Sequence, residues 1–278
     1  MIDRREFIGT MGAVAVGAVL PACRPARSAT RLSQVGLQLY TVRTLMEKDV
    51  ERTLAGVAAA GYTEVEFAGY FNKTPAEIKA MLDRHGLVSP SVHSGSIAPD
   101  DWSKALEAAN VIGHKFIVMP WIPVERRKTL DDWKQVAADF NRVAASAKAA
   151  GLQFAYHNHD FEFPLVEGKV PYDVLLAETD PNLVKLEIDL YWMTKGGQDP
   201  LAYFARWPGR IPLVHVKDGK GPPEWAMTEV GSGAIDWKRI FAKSQQAGIQ
   251  HYFVEHDQPA DPIASITASC AYLKKLEF

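Results

Sequence analysis

The sequence predicts an α/β chain folded as a single (β/α)8 barrel. Three observations predict it. A short apolar run, a loop and a segment of helical periodicity recur as eight successive units from residue 33 onward. Strands alternating with helices in this way argue for a parallel sheet. Four of the helical segments run into Ala60-Gly61, His85-Gly86, Ala150-Gly151 and Ala247-Gly248, the expected stop signal of a helix. Eight such units in roughly 250 residues is the size of this barrel. The fold alternative is a doubly wound open sheet, but no GxGxxG follows the first apolar run.

The elements follow in order. VGLQLYTV (35–42) reads as the first strand, with a helix near 48–60. YTEVEFAG (62–69) is the second, and Thr74-Pro75 opens a helix near 75–85. Thr caps the free N–H groups of a first turn, and Pro suits its first position. LVSPSVHSG (87–95) leads to a helix near 99–112, and HKFIVMPW (114–121) to a long helix near 129–150. In the long helix Leu130, Trp133, Val136, Ala137, Phe140 and Val143 form one apolar stripe. LQFAYHNH opens the second half and precedes the helical PYDVLLAET (171–179). VKLEIDLYW precedes a helix near 199–207, and IPLVHVKD precedes AIDWKRIFAKSQQAG (234–248). HYFVEHD and a helix near 261–275 close the chain.

The barrel is expected over residues 31–278, with residues 1–30 an export signal. Arg4 and Arg5 form a twin-arginine pair before the apolar stretch Ile8–Leu20. That stretch is shorter than the roughly 20 residues of a membrane span. The pattern resembles a Tat signal, which implies a periplasmic protein. Leu20-Pro21-Ala22-Cys23 resembles a bacterial lipobox, which would make Cys23 a lipid attachment site; the alternative is simple cleavage between Ala22 and Ala29. The chain of 278 residues is 47% hydrophobic and 23% charged, with net charge −2. No basic excess points to nucleic acid. Its two cysteines, Cys23 and Cys270, have no CxxC spacing, so a thiolate zinc site is not expected.

The chemistry sits at strand ends. His157, Asp189, His215 and Glu255 each close a different apolar run in the second half of the chain. A parallel barrel places all such ends on one face. An ionised group within a buried strand is costly unless it is paired or bound to a metal. Four of them converging point to a divalent-metal site. On the fifth strand either His157 or Glu162 could complete the ligand set, and His159 reads as a hydrogen-bond donor to substrate. Gln38, Glu66, His93 and Lys217 add polar groups at the same face. His93 is placed to reach a substrate, and Lys217 to stabilise an oxyanion or to pair with Asp218. Gln38 and Glu66 either contact substrate or satisfy the rim. Trp121, Tyr191 and Trp192 are candidates for an apolar wall.

With GLQLYTVR, EVEFAG, YHNHDFEF, EIDLYWM, HVKDGKG, VGSGAIDW and VEHD in hand, the chain resembles the sugar phosphate isomerase/epimerase family with a xylose isomerase-like TIM barrel. The resemblance covers residues 33–278. It implies one divalent metal, Mn2+ first, with Mg2+, Co2+ or Zn2+ as alternatives, held by His157, Asp189, His215 and Glu255. The family usually has a glutamate where His157 stands, and often a histidine where Trp192 stands. Proton transfer in the family uses two glutamates, so here Glu162 would have to replace the missing one.

The expected function is metal-dependent isomerisation or epimerisation of a sugar. The substrate proton next to a carbonyl would pass to Glu255, Glu162 or His159, with Lys217 assisting. The alternative, implied by the resemblance of the HNHDFEF segment to proteins acting on 3-keto sugars or 3-keto-glycosides, is a lyase or hydrolase of 3-keto-glycosides sharing that first step. A non-catalytic periplasmic sugar-binding protein is the third reading. A metal-dependent endonuclease would want a basic groove, which the charge does not supply. The partners expected are a small sugar or keto-glycoside, with a homo-oligomer or an oxidoreductase as protein partners.

Overall fold

Residues 30–278 are described by a computed structural model of the protein. Residues 1–29, which hold most of the expected export signal and include Cys23, lie outside the described residues. Eight parallel strands close into one barrel: β1 (Gly36–Gln38), β2 (Glu64–Phe67), β3 (Val88–His93), β4 (Phe116–Met119), β5 (Gln153–His157), β6 (Val184–Asp189), β7 (Leu213–Val216) and β8 (His251–Val254). Closure is made by β1 against β8, with Gly36 beside Phe253 and Leu37 beside Val254. Glycine is required at 36, because a Cβ there would fall 2.4 Å from the Phe253 ring.

The strands are nearly continuous apolar runs because both faces are covered. Their outer faces pack on the surrounding helices, where Trp133, Phe140, Tyr172, Phe204 and Leu273 are buried. Their inner faces meet in a separate apolar plug of Phe116, Val118, Ala155, Leu213 and Phe253. The barrel is therefore a filled core, and the cleft lies above the plug at the C-terminal strand ends.

Helix boundaries follow the local chemistry. Pro75–His85 begins with a capping box between Thr74 and Glu77 and ends at Gly86 with φ 63°. Gly61, Gly151 and Gly248 also have positive φ, which glycine adopts without a Cβ clash. Leu130–Ala149 buries the expected apolar stripe.

Three segments differ from the sequence expectation. Leu39–Val42 is a 3-10 turn, because the Gln38 side chain accepts the Tyr40 N–H and ends the strand. Leu190–Lys195 is a helix, not strand: Asp189 Oδ1 accepts the Trp192 N–H at 2.8 Å and starts it. The segment 234–248 holds two short helices, Trp237–Phe241 and Ser244–Ala247. Among the described residues no helix is long and apolar enough to cross a membrane.

Candidate active site

Strand register brings the site together. Asp189 sits beside His215 across β6–β7, and His157 beside Glu187 across β5–β6. Glu255 follows β8 directly. Side chains alternate along a strand, so Glu187 and Asp189 share the inner face of β6.

The four expected ligands meet. One ligand atom each from His157, Asp189, His215 and Glu255 lie within 4.8 Å of one another, all on buried residues. His215 Nδ1 is 2.8 Å from Glu255 Oε2 and 4.0 Å from Asp189 Oδ2. His157 Nε2 is 4.0 Å from Asp189 Oδ2. Asp189 Oδ2 and His157 Nδ1 are buried without a hydrogen-bond partner. Two imidazoles and two carboxylates, with a buried carboxylate oxygen that has no hydrogen-bond partner and lies beside the Lys217 charge, are a donor set that fits a divalent metal.

Lys217 is fully buried among three carboxylates. Its Nζ lies 2.9 Å from Glu255 Oε2, 3.2 Å from Asp189 Oδ2 and 2.8 Å from Asp257 Oδ1. Burial acts to lower its pKa, but Asp189, Glu255 and Asp257 outweigh burial and raise it. Burial likewise pushes Glu255 up, while Lys217 and His215 hold it well below the carboxylate range. Asp189 is raised to about 6 by burial, against the pull of Lys217 and His215. Burial, and then the neighbouring His215, keep His157 well below its ordinary value, so its imidazole is neutral. A neutral ring is what a metal ligand must present.

Above this group opens a cleft of about 630 Å3, lined by His93, His157, His159, Lys217, Glu255, Asp257 and Asp160 with the aromatic rings of Tyr40, Trp121, Phe161 and Trp192. The mixture of aromatic walls and a few convergent polar groups suits a small polar ligand. His159 stands among Trp121, Phe161 and Trp192, with ring centroids 5.0, 5.5 and 5.8 Å away. Burial, then Lys217, lowers it to about 3, so it too is neutral.

Three expected residues lie elsewhere. Gln38 and Glu66 are fully buried beneath the cleft and do not line it. Gln38 Nε2 donates to Glu66 Oε1 at 2.6 Å, and Ser91 donates to the other oxygen of Glu66. Glu66 Oε1 is also 2.8 Å from His215 Nε2 and 3.1 Å from His93 Nε2. Glu162 is placed in the loop after β5, away from the ligand group. Its carboxylate accepts the Tyr156 hydroxyl at 2.6 Å and the His159 N–H at 3.0 Å. It fastens the loop that carries His159, and His157 occupies the fifth-strand position.

Burial raises Glu162 to about 8, against the donors that favour its ionised form. Because this folded value lies above the ordinary glutamate value of 4.5, the folded chain holds a proton that the unfolded chain has lost. The associated stability is complete below the unfolded value and is lost as pH rises through the folded one. Glu162→Gln cannot ionise and is expected to flatten that decline. Denaturant unfolding of both proteins across this window measures it, and an unchanged slope would contradict the burial argument.

Glu187 and Asp257 were not anticipated from the sequence. Glu187 has the same strand parity as Asp189 in LEIDLYW, a signal that was available. Asp257 lies beyond β8 in a loop, where no periodicity marks which way a side chain points.

Comparisons with known proteins agree with this fold. Residues 54–276 match the family model described as xylose isomerase-like TIM barrel. An inosose dehydratase from Lacticaseibacillus casei is 25% identical over 246 residues, covering 75% of this chain and 82% of its own. One from Clostridium perfringens is 28% identical over 273 residues, covering 82% and 90%. A solved sugar phosphate isomerase/epimerase from Parabacteroides distasonis is 30% identical, with TM-score 0.78, covering 92% of this chain and 98% of its own.

Proposed function

The chain belongs to the xylose isomerase-like TIM barrel family, and on that premise we propose that it removes a proton next to the carbonyl of a keto sugar or keto-polyol and expels water from the neighbouring carbon. The observation that carries this reading is the unlike pair of groups at the fifth- and eighth-strand positions, one imidazole and one carboxylate. Glu255 supplies the carboxylate, and the fifth-strand position holds a neutral imidazole, His157. Glu162 is tied to Tyr156 and His159. Epimerisation needs a base on each face of the reacting carbon, whereas elimination needs one base and a departing group.

The ligand set of His157, Asp189, His215 and Glu255 would hold a divalent metal, which polarises a bound carbonyl and acidifies the adjacent C–H. Glu255 accepts the proton; its depressed pKa keeps it ionised at neutral pH. Lys217, the cation lining the cleft, offsets negative charge that develops on the substrate oxygen. The departing hydroxyl takes up a proton and leaves as water. Burial acts to lower the pKa of His93, but Glu66 and Glu187 outweigh it and hold it at about 9. His93 lines the cleft and is the group available to donate that proton, with His159 in the same cleft. Trp121, Phe161 and Trp192 cover the ring and restrict water.

Support also comes from the inosose dehydratases, whose name describes loss of water. The second reading is isomerisation or epimerisation, favoured by the similarity to the Parabacteroides distasonis protein. It shares the first proton transfer. Incubation with inososes and keto sugars, followed by product analysis, separates the two. A dehydrated enone or dione supports elimination. An isomeric sugar of unchanged mass supports the second reading and removes the first. The Tat-type segment and the Cys23 lipobox support export to the periplasm as part of this proposal.

A further inference from the structure

We infer that the two buried carboxylates beneath the cleft, Glu66 and Glu187, are positioning residues that fix which ring nitrogen His157 and His215 offer to a metal. The inference rests on the metal-site reading above. Neither carboxylate lines the cleft. Both are fully buried, above a plug that is otherwise apolar.

Each ligand imidazole has one nitrogen toward the ligand group and one toward this floor. His215 faces Asp189 and Glu255 with Nδ1. Its Nε2 lies 2.8 Å from Glu66 Oε1 and 3.3 Å from Glu187 Oε2. His157 faces Asp189 with Nε2, and its Nδ1 lies 3.3 Å from Glu187 Oε2. A neutral imidazole carries one proton and one lone pair. A carboxylate attracts the N–H and repels the lone pair. The floor therefore favours the proton on Nδ1 of His157, and on Nε2 of His215 once a metal takes up the Glu255 carboxylate, which otherwise lies as close to Nδ1 (2.8 Å) as Glu66 does to Nε2. The lone pairs left over, Nδ1 of His215 and Nε2 of His157, are on the two nitrogens that face Asp189. Carboxylates behind ligand histidines act in this way in metal sites generally.

Division of labour follows from the distances. His215 is held mainly by Glu66. Glu187 is the sole carboxylate within 4 Å of His157 Nδ1 among the described residues. That contact is not aligned as a hydrogen bond, so Glu187 acts there through its charge. His93 Nε2 binds both carboxylates, at 2.7 Å to Glu187 and 3.1 Å to Glu66, and keeps the pair at a fixed spacing.

Two measurements test this. Titration of the full chain with Mn2+ is expected to show one tight site in the wild type. In Glu187→Gln and in Glu66→Gln the affinity is expected to fall about 10- to 100-fold with the stoichiometry kept. The second measurement needs no variant: 15N NMR of histidine-labelled wild type loaded with Zn2+. It should show His215 protonated on Nε2 and His157 on Nδ1. Unchanged Mn2+ affinity in both variants, or the opposite tautomers, would overturn the positioning role while leaving the metal site in place. Two equivalents of metal in the wild type, falling to one in Glu187→Gln, would make Glu187 a ligand and overturn it as well. A wild type that takes up no metal would overturn the premise, and so the metal-site reading with it.

Discussion

Glu255→Gln is expected to lower kcat/KM on the dehydrated substrate about 100- to 10,000-fold, the range typical of losing a positioned general base. Gln keeps the volume of Glu and the end of β8 but cannot take a proton. It also removes a negative charge that faces Lys217 at 2.9 Å and His215 at 2.8 Å. Steady-state kinetics with metal in excess measures the effect. The excess matters, because weaker metal binding alone would then be overcome and activity would return. Activity within a few-fold of wild type under those conditions would remove Glu255 from the proton transfer.

The largest effect on stability is expected from Asp218→Ala, about 3–5 kcal/mol. Asp218 is fully buried directly after Lys217. Its carboxylate accepts the N–H of Gly231 at 2.9 Å, Gly233 at 3.3 Å and Ile235 at 3.4 Å, and the Trp237 indole N–H at 2.9 Å. Removing it leaves several interior donors unpaired, and each unpaired donor is costly. Gly233 packs so closely that a Cβ there would fall 2.0 Å from Asp218 Oδ1. The glycines of VGSGAIDW therefore let the backbone close on this carboxylate. Chemical denaturation measures the loss, and a change below about 1 kcal/mol would mean the loop holds itself together without Asp218.

Much of the fold was legible because barrel strands and their helices each carry a local signature. The boundaries of Pro75–His85 agree with the Thr74-Pro75 and Gly86 signals that predicted them, and Leu130–Ala149 buries the stripe that its periodicity predicted. The convergence of His157, Asp189, His215 and Glu255 was legible for a related reason: in a parallel barrel, the strand end alone places a residue on the cleft face. Partners set by closure of the barrel were not legible. Glu66 on β2 meets His215 on β7 only because β1 pairs with β8. The role of Glu162 was hidden as well. Its position near HNH suggested the cleft, but the loop after β5 turns it toward Tyr156 and a backbone N–H. Asp189 also carries two tasks at once. It joins the ligand group through one oxygen and starts the helix Leu190–Lys195 through the other, so the apolar run LYW reads as strand when it is helix.

The central claim is that this cleft abstracts a proton next to a carbonyl with the help of a bound divalent metal. Solvent-deuterium incorporation tests it most directly. The Mn2+-loaded protein is incubated in D2O with inososes and unphosphorylated keto sugars, and substrate and product are read by NMR. The account predicts deuterium at the carbon next to the carbonyl or loss of its proton with water, abolished by chelation and by Glu255→Gln. A metal-loaded protein that binds these compounds and exchanges no proton would contradict it, and would return the chain to the reading of a sugar-binding barrel.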